Sequence, residues 1–287
     1  MVLTHTALRA GRLSGFLKEE MGMSTGLMNR LKWQNALYVN GVAVHTDYPV
    51  QPGDRIVVEL LEPAPEYPAE DGELSVIYED AHLLAVDKPA GMLIHPSAVR
   101  LTGTLANLVL GYFRRTGQDC AFHPVTRLDR DTFGIVLLAK NSHVHAKMNE
   151  LHNAGQIRKI YHALTFGGPE KDTGVIDAPI ARRPLPSLLR EVSPEGKPSV
   201  TEYAVLSRGS HCCLALRPVT GRTHQLRVHC AYMGFPILGD PQYGTEESQA
   251  YAAELGLKSQ ALCAYSLEFP HPITGEPMTL RSGMDVR

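Results

Sequence analysis

Arg127, Asp129, Arg130 and Asp131 crowd four charges into five residues, and the apolar run Gly134 to Ala139 follows almost at once. A short run of that kind reads as a buried strand, so the charges must occupy a loop at its mouth. A carboxylate held there can attack an electrophilic ring or take a proton from a substrate carbon. Asp129 and Asp131 together could instead serve as the carboxylate pair of a glycoside hydrolase. A solvated, self-paired cluster is the plainer reading of the same residues, because surface ion pairs are common and worth little.

A second concentration of polar groups is Thr220-Gly221-Arg222-Thr223-His224-Gln225-Leu226-Arg227. Thr220-Gly221 reads as a tight turn, and Leu226, Cys230 and Met233 then recur at helical spacing, so Thr223 to Met233 is expected as a helix with an apolar stripe. Arg222 would be held rigidly at the start of that helix, or would simply bind a backbone carbonyl; Leu226 is as well explained by core packing as by a pocket. Ile157 to Phe166 reads as a strand in which Lys159 and Tyr161 share a face. A tyrosine there is either part of a core or a surface on which a ring can stack. Histidine is plentiful but badly spaced for a metal: His224 and His229 would stand about 140° apart around a helix, and His143 and His145 about 160° apart. No metal site is expected.

Five segments carry a likeness: LAVDKPAGMLIHP (84–96), HPVTRLDRDTFGIVLLAKN (123–141), IRKIYHAL (157–164), LRPVTGRTHQLRVHCAYMGFPILGDPQYG (216–244) and YSLEFPHPITGE (265–276). In that order, over about residues 74–287, the chain resembles the RluA/RluD type of pseudouridine synthase. The resemblance implies that uridine in RNA is isomerised without metal or organic cofactor and that Asp129 is the essential carboxylate. It implies that Arg222 pairs with Asp129 and keeps it ionised, since a nearby cation lowers a carboxylate's pKa. Tyr161 would pack on the target base once that base has left its stack. Arg127 would fill the gap left in the RNA or contact a phosphate, and Leu226, Lys159 and Thr223 would complete the substrate-binding set. Lys88 and His95, in the segment around Lys88-Pro89-Ala90-Gly91, read as a structural turn that shapes the site wall. Thr126 and Phe133 stand where the family usually has His and Ser, and Cys263 replaces a common His.

Positioning these groups requires an α+β fold: a mixed, largely antiparallel central sheet with flanking helices and loops, because strands cluster without a regular βαβ alternation. LSVIYED and HLLAVDKP read as a hairpin turning near Asp80, and Val200 to Leu206 and Cys212 to Leu216 as another around Arg208-Gly209-Ser210. Asn141-Ser142 offers an N-cap to a helix that Gly155 would end. Glu62 to Glu73 is rich in proline and acid and reads as a linker, which divides the chain into a module at 1–61, a linker at 62–73 and a catalytic domain at 74–287. The module should hold two short helices, around Leu13, Phe16 and Leu17 and around Leu27, Leu31 and Trp33, and strands over Ala36 to Val44 and Val50 to Leu60. Over about residues 8–60 it resembles the small RNA-binding domain named after ribosomal small-subunit protein four, with Arg9, Arg12, Lys18, Arg30 and Lys32 as its basic groups.

A net charge of −2 argues by itself against nucleic acid. Its distribution reverses that: Glu62, Glu66, Glu70, Asp71, Glu73, Glu79, Asp80 and Asp87 fall between Leu61 and Arg100, leaving the remainder net positive. No apolar run approaches the roughly 18 residues of a membrane span, and the opening residues lack the apolar core of a signal peptide. The five cysteines show no C-x-x-C spacing and read as reduced thiols. The expectation is therefore a cytoplasmic, monomeric synthase acting on structured ribosomal or transfer RNA. Its rivals are an RNA-binding or assembly factor of the same fold without activity, and an N-glycoside hydrolase.

Overall fold

Strands that are buried at all or nearly all positions must be covered on both faces. Leu83–Lys88 and Phe133–Ala139 are such strands, and they lie side by side at the centre of the molecule. The computed structural model describes residues 2–60 and 67–286. Numbered along the chain, the N-terminal elements are β1 (Val2–Thr6), β2 (Gly11–Arg12), α1 (Leu13–Glu19), α2 (Thr25–Trp33), β3 (Leu37–Val39), β4 (Val42–Ala43), β5 (Pro49–Val50) and β6 (Arg55–Glu59). They build the sheet β1-β6-β3-β4 and a core of Leu13, Phe16, Leu17, Leu31, Ile56 and Val58.

The rest of the chain forms β7 (Ser75–Glu79), β8 (Leu83–Lys88), α3 (Leu105–Arg115), β9 (His123–Pro124), β10 (Phe133–Ala139), α4 (Ser142–Asn153), β11 (Arg158–Thr165) and β12 (Thr173–Asp177). It continues with β13 (Ile180–Arg182), β14 (Arg190–Val192), β15 (Val200–Ser207), β16 (Cys212–Pro218), α5 (Gln225–Tyr232), α6 (Glu246–Glu254), β17 (Leu262–Pro270) and β18 (Pro277–Arg281). The main sheet runs β12-β15-β16-β11-β17-β10-β8-β7, with β18 beside β17 and β9 beside β10. Among the described residues its one parallel pairing joins β10 to β17 and the other ladders are antiparallel, in keeping with an α+β reading.

Helices seal both faces of the centre. On one, Leu83, Ile135 and Leu137 pack with Val144 and Met148 of α4; on the other, Leu84, Val86, Val136 and Leu138 pack with Leu105, Val109 and Phe113 of α3. Each such buried aliphatic or aromatic side chain stabilises the fold by roughly 1.5–3 kcal/mol. Asn141 caps α4 by accepting the Val144 N–H at 2.9 Å, and Gly155 follows the helix with φ +70°, as expected of the cap residues.

Some boundaries move. The helix expected over Thr223 to Met233 is Gln225–Tyr232, and Met233 is 44% exposed rather than part of the stripe, because the chain leaves the helix there. Trp33, expected on an apolar face, ends α2 and is 84% exposed. The two short strands expected in the module, over 36–44 and 50–60, are each divided by a turn, giving β3, β4, β5 and β6. Within the segment expected as a linker, 62–66 lies outside the described residues, while 67–73 runs along α3. Asn107 donates to the Pro68 carbonyl at 2.8 Å, the Glu70 N–H donates to the Asn107 carbonyl at 2.9 Å, and Asp71 pairs with Arg114 and Arg115 at 3.0 Å. That approach depends on Gly111, where a Cβ would lie 1.8 Å from the Glu70 carbonyl oxygen.

Candidate active site

The loop of residues 125–132 between β9 and β10 is fastened from several sides. The Thr126 hydroxyl accepts the Leu137 N–H at 2.9 Å, and Gln260 donates to the Thr132 hydroxyl at 2.6 Å, both within the interior. Lys88, at the end of β8 and fully buried, donates from Nζ to the carbonyls of Pro89, Met92 and Arg130 at 2.8–2.9 Å. Burial pushes its pKa down to about 8 against the pull of Asp131 and Asp129. The turn closes with the Thr132 N–H on the Asp129 carbonyl at 3.2 Å. Asp129 is thus presented on a rigid backbone, its side chain 32% exposed.

The cation that reaches Asp129 is Arg227, with Nη1 at 3.3 Å from Oδ2. This corrects the pairing expected from Arg222. Gln225 explains the difference: its buried amide accepts from the Arg222 N–H and the Thr220 hydroxyl and donates to the Val200 carbonyl and the Thr201 hydroxyl. The turn before α5 is thereby pinned to β15, and Arg222 stays exposed on the outside, donating from Nε to the Pro198 carbonyl at 3.1 Å. Arg227 points inward from α5. Nε and Nη2 form a two-point contact with the fully buried Asp240 at 2.7 Å each, Nη2 also donates to Gln242 at 2.8 Å, and the Tyr243 ring lies 4.9 Å from the guanidinium carbon. Burial works against the charge, but the hydrogen bonds and charge of Asp240, with Asp129 adding, outweigh it and raise the guanidinium pKa.

His224, held at φ +58° just before α5, stands with Nε2 3.9 Å from Asp129. Burial lowers its pKa, with Asp129 opposing, so the ring is neutral near pH 7. The Tyr243 hydroxyl accepts the Arg190 N–H at 2.9 Å and lies 2.8 Å from His224 Nδ1. Donation of its proton to Nδ1 leaves the ring hydrogen on Nε2, facing Asp129. Gln225, His224, Asp240 and Tyr243 were missed as site residues. The signal available for Asp240 was Arg227 itself, a charge between Leu226 and Val228 that must have a partner if the stripe is buried.

The remaining expected residues divide. Tyr161 lies on β11, partly buried, packed in one apolar cluster with Leu226 of α5. Burial, with Asp129 adding, raises the Tyr161 pKa and keeps its hydroxyl protonated. Lys159, two residues earlier on the same face, lines a narrow crevice with Thr126, Tyr161 and Ala264, and burial, then the charge of Arg127, lowers its pKa. Leu226 is 7% exposed, so its contact surface is mostly core. Arg127 is exposed and makes no hydrogen bond or ion pair among the described residues; Thr223 is likewise exposed. Arg130 and Asp131 pair with each other at 2.9–3.2 Å on the surface, the plainer reading of that half of the cluster. Phe133 lies opposite Cys263 in the parallel β10–β17 pairing, so two departures from the family pattern are neighbours.

The arrangement supplies one accessible carboxylate, a fixed cation against it, a neutral imidazole nearby and an aromatic face on the adjoining strand. Comparisons agree with that chemistry. The sequence profile described as RNA pseudouridylate synthase matches residues 82–232. The chain is 41% identical over 244 residues to the RNA pseudouridine synthase YlyB of Bacillus subtilis (strain 168), covering 83% of this chain and 78% of that one. It is 37% identical over 255 residues to the ribosomal large subunit pseudouridine synthase D of Pseudomonas aeruginosa, covering 86% and 79%. Among solved structures it is similar to human RNA pseudouridylate synthase domain containing 1, with a TM-score of 0.62 at 25% identity over 76% of this chain and 86% of that one.

Proposed function

Because the chain belongs to the RNA pseudouridylate synthase family, and so is an RNA pseudouridine synthase, we propose that it converts uridine in large-subunit ribosomal RNA with Asp129 as its essential carboxylate. The observation that carries the role of Asp129 is its pairing with Arg227, whose own position is fixed by the buried Asp240. The reaction breaks the bond from uracil N1 to ribose C1′, forms one from C5 to C1′, and releases the C5 hydrogen as a proton. A carboxylate serves this either by attacking the ring or by taking a ribose proton, and both routes need it ionised beside a permanent cation. Arg227 supplies that cation, a role first expected of Arg222. Tyr161 offers its ring to the extruded base, and Arg127, exposed and unengaged among the described residues, is the side chain available to the RNA around it.

The substrate follows the printed name of relatives such as the Pseudomonas aeruginosa enzyme. The N-terminal residues 1–61 act in this reading as an RNA-binding module, with Arg30 and Lys32 in the last turn of α2. Arg9 is already engaged by Glu19 and Glu20 at 2.8 and 3.2 Å and contributes less. In this reading it acts as a monomer in the cytoplasm, and that location accords with five cysteines that form no disulfide among the described residues. No helix of the described residues is long and apolar enough to cross a membrane.

RNA labelled with tritium at uridine C5 tests the function. Ribosomal and transfer RNAs offered in parallel should yield tritium in water from large-subunit RNA first. Labelled free uracil would instead mean glycoside hydrolysis, and no release from any RNA would mean a binding protein.

A further inference from the structure

Two nitrogens approach the same oxygen of Asp129, Arg227 Nη1 at 3.3 Å and His224 Nε2 at 3.9 Å from Oδ2. Oδ1 accepts no hydrogen bond among the described residues. The two oxygens of the carboxylate are therefore unlike. Asp240 places the arginine, and a different set of groups places the histidine.

His224 is held at φ +58°, a left-handed conformation that disfavours a residue with a Cβ. Among the described residues the other non-glycine positions with positive φ are Asn35 and Asn40, of the residue type that tolerates it best. The strain does not serve the helix, since the His224 side chain makes no capping hydrogen bond to α5. It turns the ring between Asp129 and Tyr243 instead, with the side chain 17% exposed. The Tyr243 oxygen accepts the Arg190 N–H at 2.9 Å, and His224 Nδ1, at 2.8 Å, is the one acceptor for its proton among the described residues. Burial, with Arg227 and Arg190 pushing the same way, outweighs Asp129 and Asp240 and keeps the imidazole neutral, so its single hydrogen is on Nε2. The rings of His224 and Tyr243 meet edge to face with centroids 5.7 Å apart, and the Tyr243 face lies against the Arg227 guanidinium. One tyrosine thus supports both groups that approach Oδ2.

We propose that His224 is a positioning residue for the reaction: its Nε2–H, oriented by Tyr243, closes on Oδ2 of Asp129 beside Arg227 and leaves Oδ1 as the oxygen that reacts with the uridine. The inference rests on the reading of Asp129 as the essential carboxylate, and it adds which oxygen acts and what keeps the other one occupied. Attack on carbon and removal of a proton both require a lone pair with no donor on it, which Oδ1 has. Two donors on Oδ2 also stop the carboxylate from rotating to exchange its oxygens. His224 stands about 1 Å beyond hydrogen-bond distance, and contacts at reaction centres commonly tighten as substrate is seated. Because Arg190 opens β14, the hairpin of β13 and β14 backs the carboxylate through Tyr243 and His224.

The test uses the full chain and three variants. His224→Asn suits the left-handed backbone and keeps a polar atom near the place of Nδ1, but lacks the Nε2–H. His224→Gln returns an N–H near the place of Nε2. Tyr243→Phe keeps the ring against Arg227 and removes the hydroxyl. Tritium release from C5-labelled large-subunit RNA gives kcat and KM, with RNA affinity and melting temperature measured alongside. In His224→Asn kcat should fall about ten- to a hundredfold while KM and affinity stay near wild type. His224→Gln should recover a good part of that loss. Nitrogen-15 spectra of labelled histidine should show His224 with its hydrogen on Nε2 in wild type and as a mixture of tautomers in Tyr243→Phe, where kcat also falls. Folded His224→Asn with wild-type kcat would overturn the proposal, as would a loss confined to KM and affinity, which means an RNA contact. So would a folded His224→Gln no better than His224→Asn, or a wild-type ring with its hydrogen on Nδ1. Absence of tritium release by wild type would instead strike the catalytic reading, since the tautomer is read without turnover.

Discussion

The guanidinium of Arg227 holds Asp129 with one nitrogen at 3.3 Å while its other two nitrogens are locked on Asp240 at 2.7 Å. Asp240 is fully buried, and its Oδ1 also accepts the N–H groups of Gln242 and Tyr243. The cation therefore cannot follow Asp129 if the loop moves; the loop must come to the cation. Precision at the carboxylate is thus set from two sides, by Arg227 on α5 and by Lys88 beneath the Arg130 carbonyl.

Arg227→Met should remove turnover and also destabilise the protein by about 3–5 kcal/mol, because Asp240 is left as an uncompensated buried carboxylate. Adding Asp240→Asn keeps an acceptor for the backbone N–H groups and should restore most of the stability but none of the turnover. Arg222→Ala loses an exposed contact and should cost under about 1 kcal/mol, with far more activity retained. Denaturant titration and tritium release on the three proteins check this, and a larger loss of turnover in Arg222→Ala would contradict the pairing.

Lys88 makes stability depend on pH in a defined window. Its ordinary pKa of 10.5 falls to about 8 in the folded chain, with burial the leading cause. Between those values the unfolded chain binds more protons, so stability rises with pH there, by up to about 3 kcal/mol, and below pH 8 the full cost of the buried charge stays in force. The neutral amine has two N–H groups for three carbonyls, so the same rise in pH frees part of the catalytic loop. Unfolding free energies of wild type and Lys88→Met across pH 7 to 10.5 should diverge upward for wild type, and a constant difference would refute the assignment.

The catalytic loop was legible because its charges precede an all-apolar strand, and β11 because Lys159 and Tyr161 alternate with apolar neighbours. The hairpin of β7 and β8 and the cap at Asn141 were legible from local turn and capping chemistry. Which arginine meets Asp129 was not, since Arg222 and Arg227 share one motif and the choice depends on how Gln225 pins the turn before α5 to β15. The parallel β10–β17 pairing was equally hidden, because it joins residues far apart in sequence with no local signal. Helix α3 could have been found: Asn107 accepts the Thr104 N–H at 3.0 Å, a capping pattern followed by an amphipathic run.

Gly134 should be intolerant of any side chain. It sits at φ +105° immediately after Phe133, and a Cβ would lie 2.4 Å from the Ala264 carbonyl oxygen. Gly134→Ala must push β10 away from β17 just where the catalytic loop enters the sheet, at a cost of about 1–3 kcal/mol or more. Thermal unfolding should show the loss, with turnover falling beyond the unfolded fraction; a variant with wild-type melting and activity would contradict the close approach.

The central claim is that the carboxylate of Asp129 does the chemistry and the rest of the molecule positions it. Asp129→Asn keeps the size and the loop while removing the charge. Tritium release from C5-labelled large-subunit RNA should disappear in this variant while RNA affinity and melting temperature stay close to wild type. Turnover retained in folded Asp129→Asn would show that another group carries the reaction.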